Sequence, residues 1–331
     1  MHGPMHMPDP VTPEDGDAES GAPAPEDQVL AEQEMKRRQA EADMEMPIVS
    51  ALKETSTDPI QAVRYKATDS FCFHCHKGVK CWNECCYDTD IALTPYDILR
   101  LARHFEARPE AIVRLFAAPA VHDKSGMPIA KLRMIDKGGP KNPCVFLDEE
   151  EGCTVYEHRP AACRYYPLGL AAIKMKGHDE PEDFHFLVKE PHCKGHEEKR
   201  EQTVAGFRRE QGVEPYDEQN RGWIYVLMKL ASWKTLGGPW GKEPDERTKK
   251  MFYMASTDID AFRRFVFNSS FLDRYAVEPA MREELAMNDE ALLALAFDWL
   301  RNVLFNEPTV ALKQEVLQQA IAKAQRDMGA G

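Results

Sequence analysis

The placement of cysteine along this chain limits its fold more than any other feature. All nine cysteines lie between Cys72 and Cys193, and five of them fall within the fifteen positions from Cys72 to Cys86. Cysteine used as a small apolar core residue would be scattered along the 331 residues. Clustering of this kind indicates either a disulfide framework or a metal site.

Three observations favour a metal site over disulfides. The N-terminal residues MHGPMHMPDP contain neither the basic nor the apolar segment of a secretory signal. We therefore predict a cytoplasmic location, where thiols stay reduced. The number of cysteines is odd, and a bridge between the adjacent residues Cys85 and Cys86 would be strained.

The spacing of the cysteines predicts more than a single zinc ion. Cys72 and Cys75 are two residues apart, a spacing that lets both thiolates face one metal from a tight turn. Cys81 follows, and then the pair Cys85-Cys86; because adjacent side chains usually point apart, this pair suits two metals or two corners of one cluster. Nine thiols exceed the four ligands of a tetrahedral zinc. They suit a [4Fe-4S] cluster with cysteines to spare, or several zinc or iron ions.

Charge divides the chain into two unequal parts. Residues 1–50 contain twelve acidic and three basic residues, which accounts for −9 of the net charge of −13. Seven prolines and few aromatic residues in the same segment predict a disordered acidic tail. The rest of the chain carries only −4. No basic face for nucleic acid is evident, no membrane span is expected, and a protein partner is left open.

Sequence patterns predict a mainly α-helical protein with a loop-rich, metal-centred cysteine core and a few short strands. Thr94, Pro95 and Asp97 form a capping-box pattern at the start of two helices over residues 94–117. The chain then becomes helical again after Cys193. We expect helices over residues 197–211, 216–236, 256–267, from 288 onwards and over 309–327, and Asn288 is the predicted N-cap of the helix that begins there.

The domain organisation predicted from these patterns has three parts. The disordered tail of residues 1–50 precedes a cysteine-cluster metal-binding domain over residues 60–197. A helical region over residues 198–331 packs on that domain. Within the domain, the acidic turn at residues 148–151 predicts a hairpin that brings Cys144 close to Cys153.

The order of the motifs in residues 70–197 resembles the YkgJ-type cysteine-cluster family, whose members are described as zinc- or iron-chelating and often as iron–sulfur proteins. The resemblance rests on Cys81-x-x-x-Cys85-Cys86, Ile91–Leu101, Pro143-Cys144-x-Phe146-Leu147 and Gly152-Cys153-x-Val155-Tyr156-x-x-Arg159-Pro160-x-x-Cys163-Arg164-x-Tyr166-Pro167. It implies metal ligands at Cys81, Cys85, Cys86, Cys144, Cys153 and Cys163, with Cys193 as a seventh. Cys72 and Cys75 lie outside the shortest family pattern, and we predict that they matter less.

The resemblance supplies a metal and not a reaction, so two classes of function stay open. In the first, the protein is an electron-transfer or metal-dependent accessory module. In the second, it is a metalloenzyme with an open coordination position, and a related cysteine cluster accompanies a flagellin lysine methylase. The sequence contains no recognisable glycine-rich loop for S-adenosylmethionine and no nucleophile elbow. Whether the protein is an enzyme is therefore left open.

Several local patterns carry further alternatives. The segment Cys72-Phe73-His74-Cys75-His76 matches the attachment pattern of c-type haem, and its two cysteines also match a redox dithiol. Arg159 and Arg164 are expected to pair with the acidic turn. The alternative is that they compensate thiolate charge or bind an anionic substrate. The histidines near the cysteines are interpreted as polar loop residues, with metal ligation or acid–base chemistry as the alternative: His74, His76, His158 and His192. The tyrosines Tyr156, Tyr165 and Tyr166 are interpreted as a shield against water.

Overall fold

The computed structural model describes residues 63–173, 182–236 and 244–329. The acidic tail predicted for residues 1–50 lies outside these ranges. Within them the chain forms eleven helices and nine short strands, so the prediction of a mainly α-helical fold with little strand is confirmed. None of the described helices is long and apolar enough to cross a membrane.

The helices and strands follow one another irregularly along the chain. The helices are α1 (Pro95–His104), α2 (Pro109–Phe116), α3 (Ala161–Tyr165), α4 (Val204–Gln211), α5 (Glu214–Leu236), α6 (Glu246–Thr257), α7 (Ile259–Asn268), α8 (Phe271–Arg274), α9 (Pro279–Met287), α10 (Asp289–Phe305) and α11 (Gln314–Gly329). The strands are β1 (Ser70–Cys72), β2 (Ala92–Leu93), β3 (Ala117–Val121), β4 (Pro128–Leu132), β5 (Leu147–Asp148), β6 (Gly152–Cys153), β7 (Leu168–Ile173), β8 (Glu182–Leu187) and β9 (Glu201–Thr203). All strand pairing is antiparallel, in the sheets β1–β9, β2–β4–β3, β5–β6 and β7–β8.

The start of α1 confirms the predicted capping box and adds a second function for its acidic residue. Thr94 Oγ1 accepts a hydrogen bond from Asp97 N at 3.1 Å, and Asp97 Oδ2 accepts one from Thr94 N at 2.8 Å. The other oxygen, Asp97 Oδ1, accepts a hydrogen bond from Ala161 N, the first residue of α3, at 2.8 Å. One fully buried carboxylate therefore caps two helices, and it holds the helix that carries Cys163 against α1.

Two small apolar cores hold the cysteine-bearing part together. The first small core lies where α1, α2 and the three-stranded sheet meet, and it is formed by Leu93, Ile98, Leu101, Ala102, Ile112, Ala117, Ala130, Leu132, Cys144, Phe146 and Val155. The second small core lies beneath β1, β7, β8 and α4, and it is formed by Phe71, Phe73, Leu168, Leu187, Val204 and Phe207. Cys86 and Cys153 pack against the first, and Cys193 packs against the second. The thiols thus lie between two apolar clusters.

A third and larger cluster, the helical core, fills the C-terminal part of the described chain. Helices α5, α6, α7 and α10 contribute most of it, and Phe252, Phe262 and Leu300 are fully inaccessible to solvent. Residues of α1 and β4, such as Leu99 and Ile129, also join it. The buried Asn220 on α5 accepts a hydrogen bond from Tyr96 N at 3.3 Å, which links the cysteine-bearing part to α5.

Some predicted helix boundaries are wrong, for identifiable reasons. The helix predicted to start at residue 197 begins only at Val204, because residues 201–203 pair with β1 and Thr203 caps α4. The helix predicted over 256–267 is two helices that meet at Asp258, whose side chain caps α7 through Ala261 N at 2.9 Å. The last helix begins at Gln314 rather than at residue 309.

Candidate metal centre

The segment from Cys81 to Cys86 is a series of tight turns that places three thiols close together. Glu84 N donates to Cys81 O at 3.0 Å, and Cys86 N donates to Asn83 O at 2.9 Å. Asn83 adopts a left-handed conformation with φ of 71°, which asparagine tolerates better than most residues. Residues Glu84–Cys86 then form one turn of 3₁₀ helix. This geometry explains why the segment is a loop, as Gly78 and Asn83 predict.

The adjacent thiols of Cys85 and Cys86 lie side by side rather than pointing apart. A hydrogen bond between the two thiols lowers the pKa of Cys85 and raises that of Cys86. Cys85 therefore ionises more readily, and Cys86 keeps its proton. The expectation that these side chains diverge is therefore wrong. Both thiols are presented to the same centre.

Cys144 and Cys153 reach this centre through the hairpin that the acidic turn predicts. Strand β5 pairs with β6, with Leu147 opposite Cys153, so the predicted hairpin is confirmed. Cys144 N donates to Cys86 O at 2.7 Å, which fixes the hairpin against the adjacent pair. Burial raises the pKa of Cys144 to about 11, and the neighbouring Cys153 thiol contributes to the same rise. Cys144 Sγ also accepts a hydrogen bond from Phe146 N at 3.4 Å.

Cys163 is positioned by α3, the short helix that Asp97 caps. Its pKa is raised, first by desolvation and then by the charges of Cys144, Cys153 and Cys85. Its side chain nevertheless remains accessible to solvent. Protein atoms therefore surround much of this thiol, while part of it faces solvent.

A second group of thiols adjoins the first through Cys85. Burial raises the pKa of Cys75 to about 12, and the thiols of Cys85, Cys81 and Cys193 add to that rise. Cys81 Sγ accepts a hydrogen bond from Lys194 N at 3.0 Å, so the loop that carries Cys193 is bonded directly to a sulfur of the N-terminal cysteine block. Eight of the nine cysteines therefore influence one another as a single network.

Cys72 is the exception. It lies on the edge of strand β1 opposite Glu201, with an exposed side chain, while its neighbour Phe71 enters the second small core. It is not among the largest contributors to any shifted thiol pKa. The sequence groups Cys72 with Cys75, whereas the structure separates them: only Cys75 joins the network. This separation does not favour c-type haem attachment or a dithiol pair, both of which need the two thiols to act together.

The two arginines that flank Cys163 are buried, and the expectation that they pair with the acidic turn is wrong. Arg159 and Arg164 are both 7% exposed. Arg164 donates to the main-chain oxygens of Arg159 and Gln211 at 3.1 and 2.8 Å. Arg159 donates to Tyr156 O and to Gln211 Oε1, both at 2.6 Å. The acidic turn instead pairs with exposed lysines, as Glu151 does with Lys77 at 3.4 Å.

Arg159 supplies positive charge to the thiol network, in line with the alternative interpretation of this residue from the sequence. Its charge lowers the pKa values of Cys75 and Cys153, against the dominant effect of burial. The guanidinium lies 3.8 Å from the ring centroid of Tyr156, which covers its outer face. The signal that indicates a buried arginine is its position next to Pro160 and α3, where the main-chain oxygens of Tyr156, Glu157 and Arg159 need donors.

The tyrosines predicted to shield the centre have three different surroundings. The Tyr166 hydroxyl is buried without a well-formed hydrogen bond. Burial raises the pKa of Tyr166, and the nearby Cys193 adds to that rise, so this ring lies against the second group of thiols. Tyr165 donates to Asp217 instead. Tyr156 is 50% exposed and covers Arg159 rather than a thiol.

The four histidines near the cysteines also differ in their surroundings. His158 stacks on His104 with ring centroids 4.5 Å apart and contacts Arg100, and burial lowers its pKa. His192 lies 3.4 Å from a carboxylate oxygen of Glu190. His74 and His76 lie next to each other, with ring centroids 4.6 Å apart. None of the four histidines is among the largest contributors to the shifted thiol pKa values.

Comparison with protein-family models matches residues 74–218 to the CxxCxxCC family, whose description is "Putative zinc- or iron-chelating domain". Residues 74–218 are therefore similar to this family. The match begins after Cys72 and includes the eight cysteines of the network. No curated protein and no solved structure matches the chain significantly. The resemblance to a cysteine-cluster family is confirmed, and the CxxCxxCC domain is a metal-chelating one.

The donor set of the CxxCxxCC domain fits a metal or metal cluster. Eight thiolates this close together would repel one another, and a bound cation compensates that charge. Lys194 N and Phe146 N donate hydrogen bonds to the sulfurs of Cys81 and Cys144. Among the described residues, which include every cysteine, no three thiol sulfurs lie within 4.8 Å of one another.

Proposed function

We propose that the CxxCxxCC domain holds an iron–sulfur cluster and that the protein acts as an electron-transfer or metal-dependent accessory module. The ligands come from the network of eight thiols, with Cys81, Cys85, Cys86, Cys144, Cys153, Cys163 and Cys193 as implied by the family, and with Cys75 in addition. The observation that supports this proposal most strongly is that thiols from five separate segments lie close enough to shift one another's pKa values.

Charge favours a cluster over a single zinc ion. Several thiolates around one Zn²⁺ leave a large negative charge that is costly to desolvate. A cluster of several metal ions spreads that charge over more cations. Arg159 is the guanidinium whose charge most clearly favours the thiolates, and it does so at Cys75 and Cys153. Most of the compensation therefore has to come from the metal.

The spacing of the sulfurs supports the same choice. Four thiolates around one tetrahedral zinc lie about 3.8 Å apart, because each Zn–S bond is about 2.3 Å long. Cys85 and Cys86 are hydrogen-bonded to each other, but no third thiol lies within 4.8 Å of both. Metal and sulfide atoms between more widely spaced thiols suit that arrangement. Two zinc ions that share a thiolate are the alternative within the same site.

The surroundings of the thiols resemble those that tune redox centres. Hydrogen bonds to sulfur and solvent exposure set the potential of a cluster. Lys194 N and Phe146 N supply such hydrogen bonds, and Tyr166 excludes water beside Cys193. Cys85 and Cys163 remain accessible, so one side of the thiol network is open to a redox partner protein or, in the enzyme alternative, to a substrate.

The experiment is metal analysis of protein purified without oxygen. We expect iron and acid-labile sulfide in stoichiometric amounts, visible absorption from sulfur-to-iron charge transfer, and a reduced form that is detectable by electron paramagnetic resonance. The matched variants are Cys163→Ser, which should lose the metal, and Cys72→Ser, which should keep it. Stoichiometric zinc in a colourless protein without iron would contradict the iron–sulfur assignment, and equal metal in both variants would contradict the site.

A further inference from the structure

A cluster of three potential metal ligands lies outside the thiol network. Ligand atoms of His74, His76 and Glu198 all lie within 4.8 Å of one another, and within residues 63–173, 182–236 and 244–329 no other group of three His, Cys, Asp or Glu residues does so. His76 Nε2 lies 3.7 Å from Glu198 Oε2, and the rings of His74 and His76 meet at 38°. Their side chains are about two-fifths exposed, as the values of 39% for His76 and 40% for Glu198 show.

Two hydrogen-bonded segments hold these residues in place. His74 N donates to Gly195 O, and Phe73 N donates to Arg200 O, both at 3.0 Å, so the histidine segment runs alongside the segment that carries Glu198. The pairing of β1 with β9 extends the same alignment. Gly195 fits so closely that a Cβ there would lie 2.7 Å from the ring of Phe73. The position of Glu198 relative to the two histidines is thus set by a packed main chain rather than by a free loop.

The short segment from His74 to His76 separates this cluster from the thiols. Cys75 participates in the network with Cys81, Cys85 and Cys193, whereas the two histidines on either side of it meet Glu198. Alternate residues of an extended segment point to opposite sides, and this alternation places nitrogen ligands on one side and sulfur on the other. The two sets of ligands are adjacent but distinct.

We propose that His74, His76 and Glu198 bind a divalent cation of the zinc or iron(II) class at a second site, outside the cysteine centre. Two imidazoles and one carboxylate are a ligand set that binds Zn²⁺ or Fe²⁺ and leaves coordination positions open to water or a small anion. The partial exposure of His76 and Glu198 makes this cation exchangeable with solvent. The site therefore takes up and releases metal more readily than the desolvated thiols do.

The ring of His76 has to change its tautomer on binding. Gly78 N donates to His76 Nδ1 at 3.1 Å, so in the neutral side chain the proton is on Nε2, which faces Glu198. Coordination through Nε2 moves that proton to Nδ1 and gives up the hydrogen bond from Gly78 N. The loss is one exposed hydrogen bond. The bond from His76 Nε2 to the cation, which Glu198 also coordinates, replaces it.

The test is a titration of the full-length, metal-loaded protein with Co²⁺, free of any affinity tag and without oxygen. We expect one additional Co²⁺ per chain, with weak visible bands and without the strong near-ultraviolet absorption of thiolate-to-cobalt charge transfer. Glu198→Gln and His74→Ala should each weaken this binding at least tenfold. Zn²⁺ should displace the bound Co²⁺.

The matched control is Glu197→Gln, which alters the adjacent carboxylate that pairs with Lys194 at 2.9 Å. This variant should bind Co²⁺ as the wild type does. Iron, sulfide and zinc already present are measured in every variant, so that loss of the cysteine centre is recognised separately. Equal Co²⁺ affinity in Glu198→Gln and Glu197→Gln, or thiolate charge-transfer absorption in the wild type, would overturn the proposal.

Discussion

The cysteine-bearing part of the chain and the helical region after it are held together by different forces. Residues 244–329, with α5, surround one large core in which Phe252 and Phe262 are fully buried. Residues 63–213 have two smaller cores, with the thiols between them. The helical region has an ordinary globular core. In the cysteine-bearing part, reactive thiols lie between the two small cores.

This difference has an energetic consequence. Full burial of a large apolar side chain contributes about 1.5–3 kcal/mol, and the helical core has many such side chains. The thiol network contributes no comparable burial and, once ionised, repels itself. A bound metal converts that repulsion into attraction, so the metal should stabilise one part of the molecule far more than the other.

Metal removal should produce the largest difference between the two parts. We expect residues 63–213 to lose their protection against amide hydrogen exchange when the metal is removed, because structural metal sites supply as much as about 10–16 kcal/mol of folding free energy. Helices α6, α7 and α10 should keep most of theirs. Hydrogen exchange measured by mass spectrometry on metal-loaded and metal-free protein makes the comparison. Equal loss in both parts would show that they fold as one unit.

A cavity in the helical core should lower the stability of the protein and leave its metal centre unaffected. Phe262 is fully buried against Trp299 and Phe271, and Phe262→Ala should destabilise the protein by about 3–5 kcal/mol. The metal content per folded chain should not change. Chemical unfolding together with metal analysis tests both statements. The control is Met287→Ala, an 87% exposed position at which we expect a change within about 0.5 kcal/mol.

Two helix caps, one in each part, sharpen the comparison. Asp97→Ala removes the cap of α1 and leaves Ala161 N without its partner, so we expect a loss of about 2–3 kcal/mol and a lower metal content, because α3 carries Cys163. Asn288→Ala removes only the cap of α10, where Asn288 Oδ1 accepts from Glu290 N at 3.0 Å, and should lose about 1 kcal/mol.

The readouts for this pair are the denaturation midpoint and the metal bound per chain. Only Asp97→Ala should lower both. Metal loss in Asn288→Ala would mean that the centre senses general stability rather than the position of α3, and unchanged metal in Asp97→Ala would remove Asp97 from the positioning of Cys163.

Local signals explain why much of this architecture is predictable from sequence. The capping box at Thr94, the cap at Asn288 and the hairpin turn near Asp148 depend on residues close together in the chain, and all three are confirmed. The strand at 201–203 is not predictable in the same way, because its partner is β1, more than a hundred residues earlier. Tertiary pairing overrides the helical preference of that segment.

The candidate site follows the same rule. Cysteine spacing predicts a metal centre, but it does not separate Cys72 from Cys75, because their difference depends on where the loop turns after β1. The burial of Arg159 and Arg164 is likewise set by main-chain oxygens that only the folded turn presents. The proximity of Glu198 to His74 and His76 spans more than a hundred residues and has no signal in the sequence.

The last expected effect concerns a cluster of hydrogen bonds and ion pairs around Glu307 in the helical region. Glu307 accepts hydrogen bonds from Arg301 Nε and from the Tyr225 hydroxyl, each at 2.8 Å, and it also pairs with Lys229 on α5. Burial opposes its ionisation, but the bonds from Lys229 and Arg301 outweigh burial and lower the pKa of Glu307 to about 2.

Glu307→Gln should therefore cost about 1 kcal/mol at neutral pH, because the amide keeps neutral hydrogen bonds and loses only the charge-assisted part, and it should not change the metal content. Because the folded pKa lies below that of the unfolded chain, the ionised carboxylate stabilises the native state above about pH 4.5, and this stabilisation disappears as the pH falls toward 2. The difference between wild type and variant, measured by chemical unfolding, should shrink over that interval. A difference that stays constant from pH 7 to pH 3 would show that the hydrogen-bond geometry, and not the charge of Glu307, holds α5 against α10.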